Sequence, residues 1–261
     1  MNCSSDAEPV VLPLHAPGEQ HLSPSLLLTA RTLPAFELKF VLPEGRLSEV
    51  LAWASHELGP DPHADAELGG AYAIRSIYLD TPSLDVLHRT PGFRSRKFRL
   101  RRYGREHLVY LERKTKRGDR VLKRRTCVPP ADLERLHLPT IEQVWDGQWF
   151  HERIARRQLR PACLLSYERL AFVGRCADGP LRLTIDRRIG CSLTDAFDFH
   201  PSVPQVPLLA GQVVLELKFR VALPTPFKGL LSDLRLSPTG VSKYQLGMRA
   251  CGAGLEAREV G

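Results

Sequence analysis

The chain has 261 residues, 43% of them hydrophobic and 25% charged, an ordinary globular composition with enough apolar residues for one large core. Lys and Arg exceed Asp and Glu by 37 to 29, giving a net charge of +8, which favours an anionic partner such as nucleic acid, a membrane surface or a phosphorylated small molecule. No apolar run reaches the ~18 residues of a membrane span, and no basic segment followed by an apolar core marks the N-terminus, so the expected location is cytoplasmic.

Residues 1–33 are rich in Ser, Pro, Leu and Ala without periodicity and read as a poorly ordered leader. A strand is expected at Phe36–Val41. Leu47, Val50, Leu51, Ala54 and Leu58 then recur at helical spacing, and 59–70 reads as a loop. Tyr72–Leu79 is the next strand, followed by a short helix at Leu84–His88. Lys97–Tyr103, His107–Lys114 and Arg120–Val128 alternate apolar and charged residues and are separated by turns at Gly104 and Gly118, which predicts an antiparallel meander. Helices are expected at Asp132–Leu138 and Thr140–Leu159, the second burying Ile141, Val144 and Trp145. Strands return at Ala162–Val173, Leu181–Ile189 and Gln212–Leu223. Pro226 opens a helix with Phe227, Leu230, Leu231 and Leu234 on one face, and a turn leads into Ser242-Lys243-Tyr244 before a frayed tail at 251–261.

The alternation carries the functional signal. A strand sends successive side chains to opposite faces, so these strands each have one apolar and one ionic face, and the ionic faces are mostly Arg and Lys. Arg99 and Arg101 share a face, as do Glu112 and Lys114, and Lys123 and Arg125. Arg169, Arg182, Asp186, Glu216 and Lys218 hold comparable positions in the second half. Guanidinium groups grip phosphate oxygens bidentately and Lys supplies a point charge, so a closed ring of such faces makes a cationic tunnel for a polyanion. The competing reading is that each sheet simply has a wet, solvated face. Glu37, Glu112 and Glu216 each precede by two residues a Lys on the same face. Each can ligate Mg²⁺ or Mn²⁺ beside a phosphate, or can pair with a neighbouring cation. Lys243, after Ser242, can meet a phosphate or belong to an ordinary helix cap. Asp186 can pair with Arg182.

No P-loop, GxSxG, HExxH or GxGxxG is present, and the six cysteines form no CxxC and read as reduced thiols. Aromatic residues make up only 7%, without an aromatic platform, so nucleic acid is not the favoured partner.

Nine pieces in order, from Glu37-Leu38-Lys39-Phe40 and Tyr78-Leu79-Asp80-Thr81 through Arg99-Leu100-Arg101-Arg102-Tyr103-Gly104, Leu111-Glu112-Arg113-Lys114-Thr115, Lys123-Arg124-Arg125, Tyr167-Glu168-Arg169, Arg182-Leu183-Thr184-Ile185-Asp186 and Leu215-Glu216-Leu217-Lys218 to Ser242-Lys243-Tyr244, resemble the VTC domain. That domain is the polyphosphate polymerase module of the triphosphate tunnel metalloenzymes. The resemblance covers about residues 35–248, within an expected catalytic domain over 34–250. It implies an α+β fold with a closed antiparallel β-barrel of about eight strands forming a tunnel, helices packed outside, and ionic faces inside. It implies that Lys39, Arg99, Arg101, Lys114, Lys123 and Arg169 are catalytic, that Lys243 binds phosphate and that Glu216 ligates the metal, Mn²⁺ or Mg²⁺; the strand pattern adds Arg125, Arg182 and Lys218 as expected phosphate binders and Glu112 and Glu37 as expected metal ligands. The implied substrates are ATP and a polyphosphate or pyrophosphate acceptor. Ala35 stands where the related CYTH branch opens its Glu-x-Glu-x-Lys motif, which disfavours that branch's metal arrangement. Eukaryotic VTC proteins add a sensor domain and membrane helices, so a stand-alone, bacterial-type catalytic domain is expected. Two readings stay beside the polymerase: a triphosphatase of the same fold, and a non-catalytic polyanion- or RNA-binding module.

Overall fold

The computed structural model describes residues 30–31, 34–139 and 144–253. Eight strands make the barrel: β1 (Ala35–Pro43), β2 (Ala71–Asp80), β3 (Arg96–Tyr103), β4 (Val109–Arg117), β5 (Arg120–Val128), β6 (Arg160–Cys176), β7 (Gly179–Leu193) and β8 (Gln212–Phe219). They pair antiparallel in the ring order β1–β5–β4–β3–β2–β6–β7–β8, and β8 pairs back to β1. Every strand of the wall thus has a paired neighbour on each side. The β1–β5 seam is the shortest, with only Ala35 opposite Val121 and Phe36 opposite Arg120. Ala30–Arg31 extends it along β5, and Gly59–Pro60 and Val206–Leu208 add short strands to β6 and β7.

The apolar strand faces point outward under two groups of helices. One core lies beneath α2 (Asp85–His88), α3 (Gln148–Arg156) and α5 (Lys243–Ala250), the other beneath α1 (Leu47–Glu57) and α4 (Thr225–Asp233). Phe150 of α3 is fully buried against Phe98, and Phe227 of α4 packs on Phe219 and Trp53. With the apolar faces covered from outside, the ionic faces have only the barrel interior. An eight-stranded barrel is just wide enough for its side chains to fill or to hold one small ligand.

Two helical expectations change. Of the segment expected as Thr140–Leu159, the described residues are helical over Gln148–Arg156, with Asp146-Gly147 breaking the chain just before it. Val144 is 94% exposed, Trp145 is partly buried, and Ile141 lies outside the described residues. The turn expected to lead into Ser242-Lys243-Tyr244 opens a helix not expected from the sequence, α5 over Lys243–Ala250, with Ser242 as its cap, the Ser242 hydroxyl accepting from the Gln245 amide. Gly247 makes that docking possible: a Cβ there would lie 2.5 Å from Cys191 Sγ. The last β-strand stops at Phe219 instead of Leu223. The leader expected over 1–33, apart from Ala30–Arg31, and the tail beyond 253 lie outside the described residues. Cys127, Cys163, Cys176, Cys191 and Cys251 are free thiols.

Asp80 fastens the helices to the barrel. Its buried carboxylate accepts from the amides of Thr81 at 2.7 Å, Val86 at 2.8 Å and Leu87 at 3.0 Å, and from the Tyr244 hydroxyl. Tyr244 also stacks on Tyr78, 5.3 Å between ring centroids. One carboxylate therefore sets the end of β2, the start of α2 and the start of α5, where Ser242 and Lys243 sit. Removing a buried acceptor of this kind strands several donors. Asp80→Ala is predicted to cost about 3 kcal/mol or more in denaturant unfolding and Tyr244→Phe about 1–2 kcal/mol. A loss under about 1 kcal/mol for Asp80→Ala would refute this anchoring role.

Candidate active site

Strand register decides which charges meet. Across β3, β4 and β5, Lys97 faces Lys114 and Lys114 faces Lys123, while in the next inward row Arg99 faces Glu112 and Glu112 faces Arg125. Across β1 and β8, Lys39 faces Glu216 and Glu37 faces Lys218. Like charges opposed across strands are destabilising, and the carboxylates in the adjoining row relieve this.

Glu112 is fully buried. One oxygen accepts from Arg99 at 2.6 and 2.7 Å and the other from Lys123 at 3.1 Å. Burial pushes its pKa up, but Arg99 and Lys123 outweigh that and hold it well below the usual range. Glu112, an expected metal ligand, has both oxygens on cations of the wall, as Glu37 and Glu216 do, but unlike them it does not border the cavity of the barrel. Arg169 clamps Asp186 with two bonds of 2.6 and 2.8 Å, and Lys243 reaches the same carboxylate at 2.6 Å. Burial alone would raise Asp186; Arg169 and Lys243 bring it to about 2. Arg182, expected to pair with Asp186 or to bind phosphate, is held by the buried Asp61 at 2.6 Å and by the Tyr72 hydroxyl at 3.1 Å. Asp61 comes from the 59–70 loop, outside the ladder altogether.

Glu37 and Glu216 form the remaining carboxylate pair. Glu37 accepts from Lys114 at 2.6 and 2.8 Å, and Lys39 stands 3.1 Å from it and 3.8 Å from Glu216. Lys218 is 2.6 Å from Glu216. Burial and the neighbouring Glu216 raise Glu37, yet Lys114, Lys39 and Lys218 hold it at about 2, so both carboxylates are charged. Burial pulls Lys114 down to about 8. Glu37 and Glu216 could hold a divalent cation only once the lysines now on their oxygens turn to a bound phosphate; their hard oxygen donors suit Mg²⁺ or Mn²⁺. No cluster of three or more His, Cys, Asp or Glu occurs among the described residues, so phosphate and water oxygens would complete the shell.

These groups line one cavity of about 440 Å³. Glu37, Lys39, Arg99, Arg101, Lys114, Arg169, Glu216, Lys218 and Lys243 all border it, whereas Lys123, Arg125, Arg182 and Glu112 do not. Arg101 is the least neutralised cation of the inner end. Only 4% exposed, it donates to the Ser76 and Tyr167 hydroxyls, each at 2.9 Å, with no carboxylate. Sequence reasoning did not single out Lys97, Tyr78 or Tyr167 as site residues, although all three border the cavity. Alternation alone places Lys97 on the Arg99 face and could have found it. Burial raises the Tyr78 phenol, but Arg99, Arg101 and Lys97 outweigh it and bring it to about 7.

The VTC domain family matches residues 35–251. The chain belongs to that family. Membership makes the barrel a triphosphate tunnel of the metal-dependent kind. Similar solved structures include an adenylate cyclase candidate from Bacillus halodurans, 14% identical, covering 81% of this chain and 95% of that one with a TM-score of 0.49. A candidate adenylyl cyclase from Hippeastrum, described as having a dominant triphosphatase activity, is 14% identical and covers 85% and 97% with a TM-score of 0.44. The PH1819 protein of Pyrococcus horikoshii is 13% identical and covers 82% and 98% with a TM-score of 0.43. No curated protein matches by sequence. No helix among the described residues is long and apolar enough to cross a membrane.

The depressed lysines of this VTC tunnel give a pH test. Lys97 and Lys114 lie near 8 because of burial, against an ordinary 10.5. An arriving polyanion restores the charged form. Tripolyphosphate binding at pH 8.5 is therefore predicted to take up protons, seen by calorimetry as a binding heat that varies with the buffer's ionisation heat, and the uptake vanishes by pH 6. The same shifts mean that the unfolded state binds more protons between pH 8 and 10.5, so ligand-free stability gains from these two groups as pH rises through that window. A binding heat independent of buffer at pH 8.5 would contradict the assignment.

Proposed function

We propose that this VTC domain is an ATP-dependent polyphosphate polymerase. The observation that carries the reading is one cavity, open at its rim, in which Glu37 and Glu216 stand side by side within a wall of Lys and Arg that outnumbers its carboxylates. Such a wall suits condensed phosphate, whose negative charge is repeated along a chain.

Phosphoryl transfer asks mainly for positioning and charge neutralisation. Arg99, Arg101 and Arg169 would grip the triphosphate oxygens, with Lys39, Lys114, Lys218 and Lys243 as point charges around them. Bound Mn²⁺ or Mg²⁺, held by Glu37 and Glu216, would supply Lewis-acid neutralisation of phosphate charge. A terminal oxygen of the acceptor chain attacks the γ-phosphorus, the bond to the β–γ bridging oxygen breaks, and ADP leaves carrying that electron pair. No side chain needs to become covalently modified. Lys123, Arg125 and Arg182 support the wall from behind through Glu112 and Asp61. A second reading, hydrolysis of a triphosphate by water, draws on one observation. Arg182, buried and held by Asp61 and Tyr72, does not border the cavity, which suits a cage for a short triphosphate.

Incubation with ATP, Mn²⁺ and a pyrophosphate primer is predicted to yield ADP and an acid-labile polymer that stains on a gel. Orthophosphate without polymer would favour the hydrolytic reading, and ATP left intact would leave only a binding module. Glu216→Gln keeps the volume and is predicted to cut turnover by roughly 10²-fold and flatten the Mn²⁺ dependence. An unchanged metal titration in that variant would remove Glu216 from the metal site.

A further inference from the structure

Three thiols meet away from the tunnel. Cys163 on β6 and Cys191 on β7 are fully buried, and Cys251 at the end of α5 is half-buried. None of them borders the tunnel cavity. Gly247 of α5 lies so close over Cys191 that a Cβ on it would stand 3.0 Å from the Cys191 Cβ. Cys251 follows one helical turn later on the same face, and its thiol donates to the Cys191 carbonyl at 3.6 Å. The Cys163 and Cys251 thiols also hydrogen-bond to the Cys191 sulfur. A second cavity, of about 460 Å³, shares no lining residue with the tunnel. Ala162, Leu193, Met248 and Ala253 border it, each a short step along the chain from one of these cysteines, which gives a small molecule an approach to the half-buried Cys251.

We infer that Cys191 and Cys251 form a reversible disulfide that locks the end of α5 to β7, with a low-molecular-weight disulfide as the oxidant. The inference is independent of the polymerase reading. Cys251, the accessible member, loses its proton and attacks one sulfur of the small disulfide, whose other sulfur leaves as a thiolate with the bonding electron pair. The Cys191 thiolate then attacks the Cys251 sulfur and displaces the second small thiolate. Two protein thiols are oxidised, one small disulfide is reduced to two thiols, and the two protein protons end on them. The thiols that donate to Cys191 favour its thiolate, as the second attack requires. Burial and the adjacent Cys191 push Cys251 up to about 11, so the first step is slow at neutral pH and quickens as pH rises. Cys163 is a poorer partner for Cys191. Leu165 faces Cys191 and Leu193 faces Cys163, so the two are diagonal neighbours, about 7–8 Å apart at Cα and at the limit of a disulfide's reach. At its start α5 is already tied to β7, where Lys243 meets Asp186 at 2.6 Å. A disulfide at the other end pins both ends of the helix to one strand and holds Ser242 and Lys243 in the tunnel wall.

The test treats the full, ligand-free chain with glutathione disulfide at pH 8.5 without denaturant, then alkylates, digests and maps it by mass spectrometry, beside Cys251→Ser and Cys163→Ala. The wild type is expected to yield a linked Cys191–Cys251 peptide that dithiothreitol abolishes. Its thermal midpoint is expected to rise by several degrees on oxidation, because the link constrains the unfolded chain. Amide exchange is expected to slow across α5 in the oxidised form. Cys163→Ala keeps the link and both effects, and Cys251→Ser loses all three. A glutathione adduct that stays on Cys251 beside a free Cys191 would overturn the proposal, as would a Cys163–Cys191 link. So would a Cys251 that stays reduced while Cys127 and Cys176 react. A link that forms without slowing exchange in α5 would overturn the lock.

Discussion

Everything in this barrel follows from placing Lys and Arg on the inside of a closed wall. A buried charge is costly unless it is paired and hydrogen-bonded. The structure meets that requirement with five carboxylates, each shared or supplied from a different quarter: Glu112 between Arg99 and Lys123, Asp186 between Arg169 and Lys243, Glu37 and Glu216 among three lysines, and Asp61 against Arg182. Among the described residues Arg101 and Lys97 hydrogen-bond to hydroxyls and lie over tyrosine rings, with no carboxylate in contact. The pairing keeps the ligand-free wall standing, and the shortfall is what an anion would fill. The same arithmetic explains the depressed lysines: burial favours their neutral form until a polyanion arrives.

The outer layer serves this interior. Eight strands with one apolar face each need a covering, and the helices supply it in two separate cores. Asp80 ties one of these cores to the tunnel, because its carboxylate bonds the start of α2 and, through Tyr244, the start of α5. A structural acid outside the cavity thereby fixes Ser242 and Lys243 at its wall. Binding chemistry and helix packing are joined at one residue whose motif, Tyr78-Leu79-Asp80-Thr81, carries no obvious phosphate chemistry of its own.

Much of this was legible in the sequence. Period-two alternation placed the ladder strands and assigned Arg99, Arg101, Glu112 and Lys114 to inward faces, and the register that brings Arg99 to Glu112 follows from the short hairpin turns. Partners that come from loops were not legible. Asp61 lies in a stretch without periodicity, so nothing in the residues around it announced that it would pair with Arg182. The competition for Glu112 was hidden for a related reason: a Glu two residues before a Lys looks the same whether its oxygens are spent on neighbours or left for a metal, and only the register decides. Helix boundaries were blurred where polar residues start a helix, as at α5, and where Asp146-Gly147 interrupts an otherwise helical pattern.

The central claim is that the interior cations are held for a polyanion and not for the fold, and Arg101 tests it most directly because it is buried in the cavity wall without a carboxylate. The measurement is the thermal midpoint of wild type and Arg101→Ala, each with and without tripolyphosphate. The account predicts that the ligand-free midpoint changes little, since Arg101 contacts no carboxylate and the repulsion of Arg99 opposes the attraction of Glu112, while the ligand-induced rise shrinks strongly. A lowered ligand-free midpoint with an undiminished ligand-induced rise would contradict it, and would make the ladder a structural feature of the barrel.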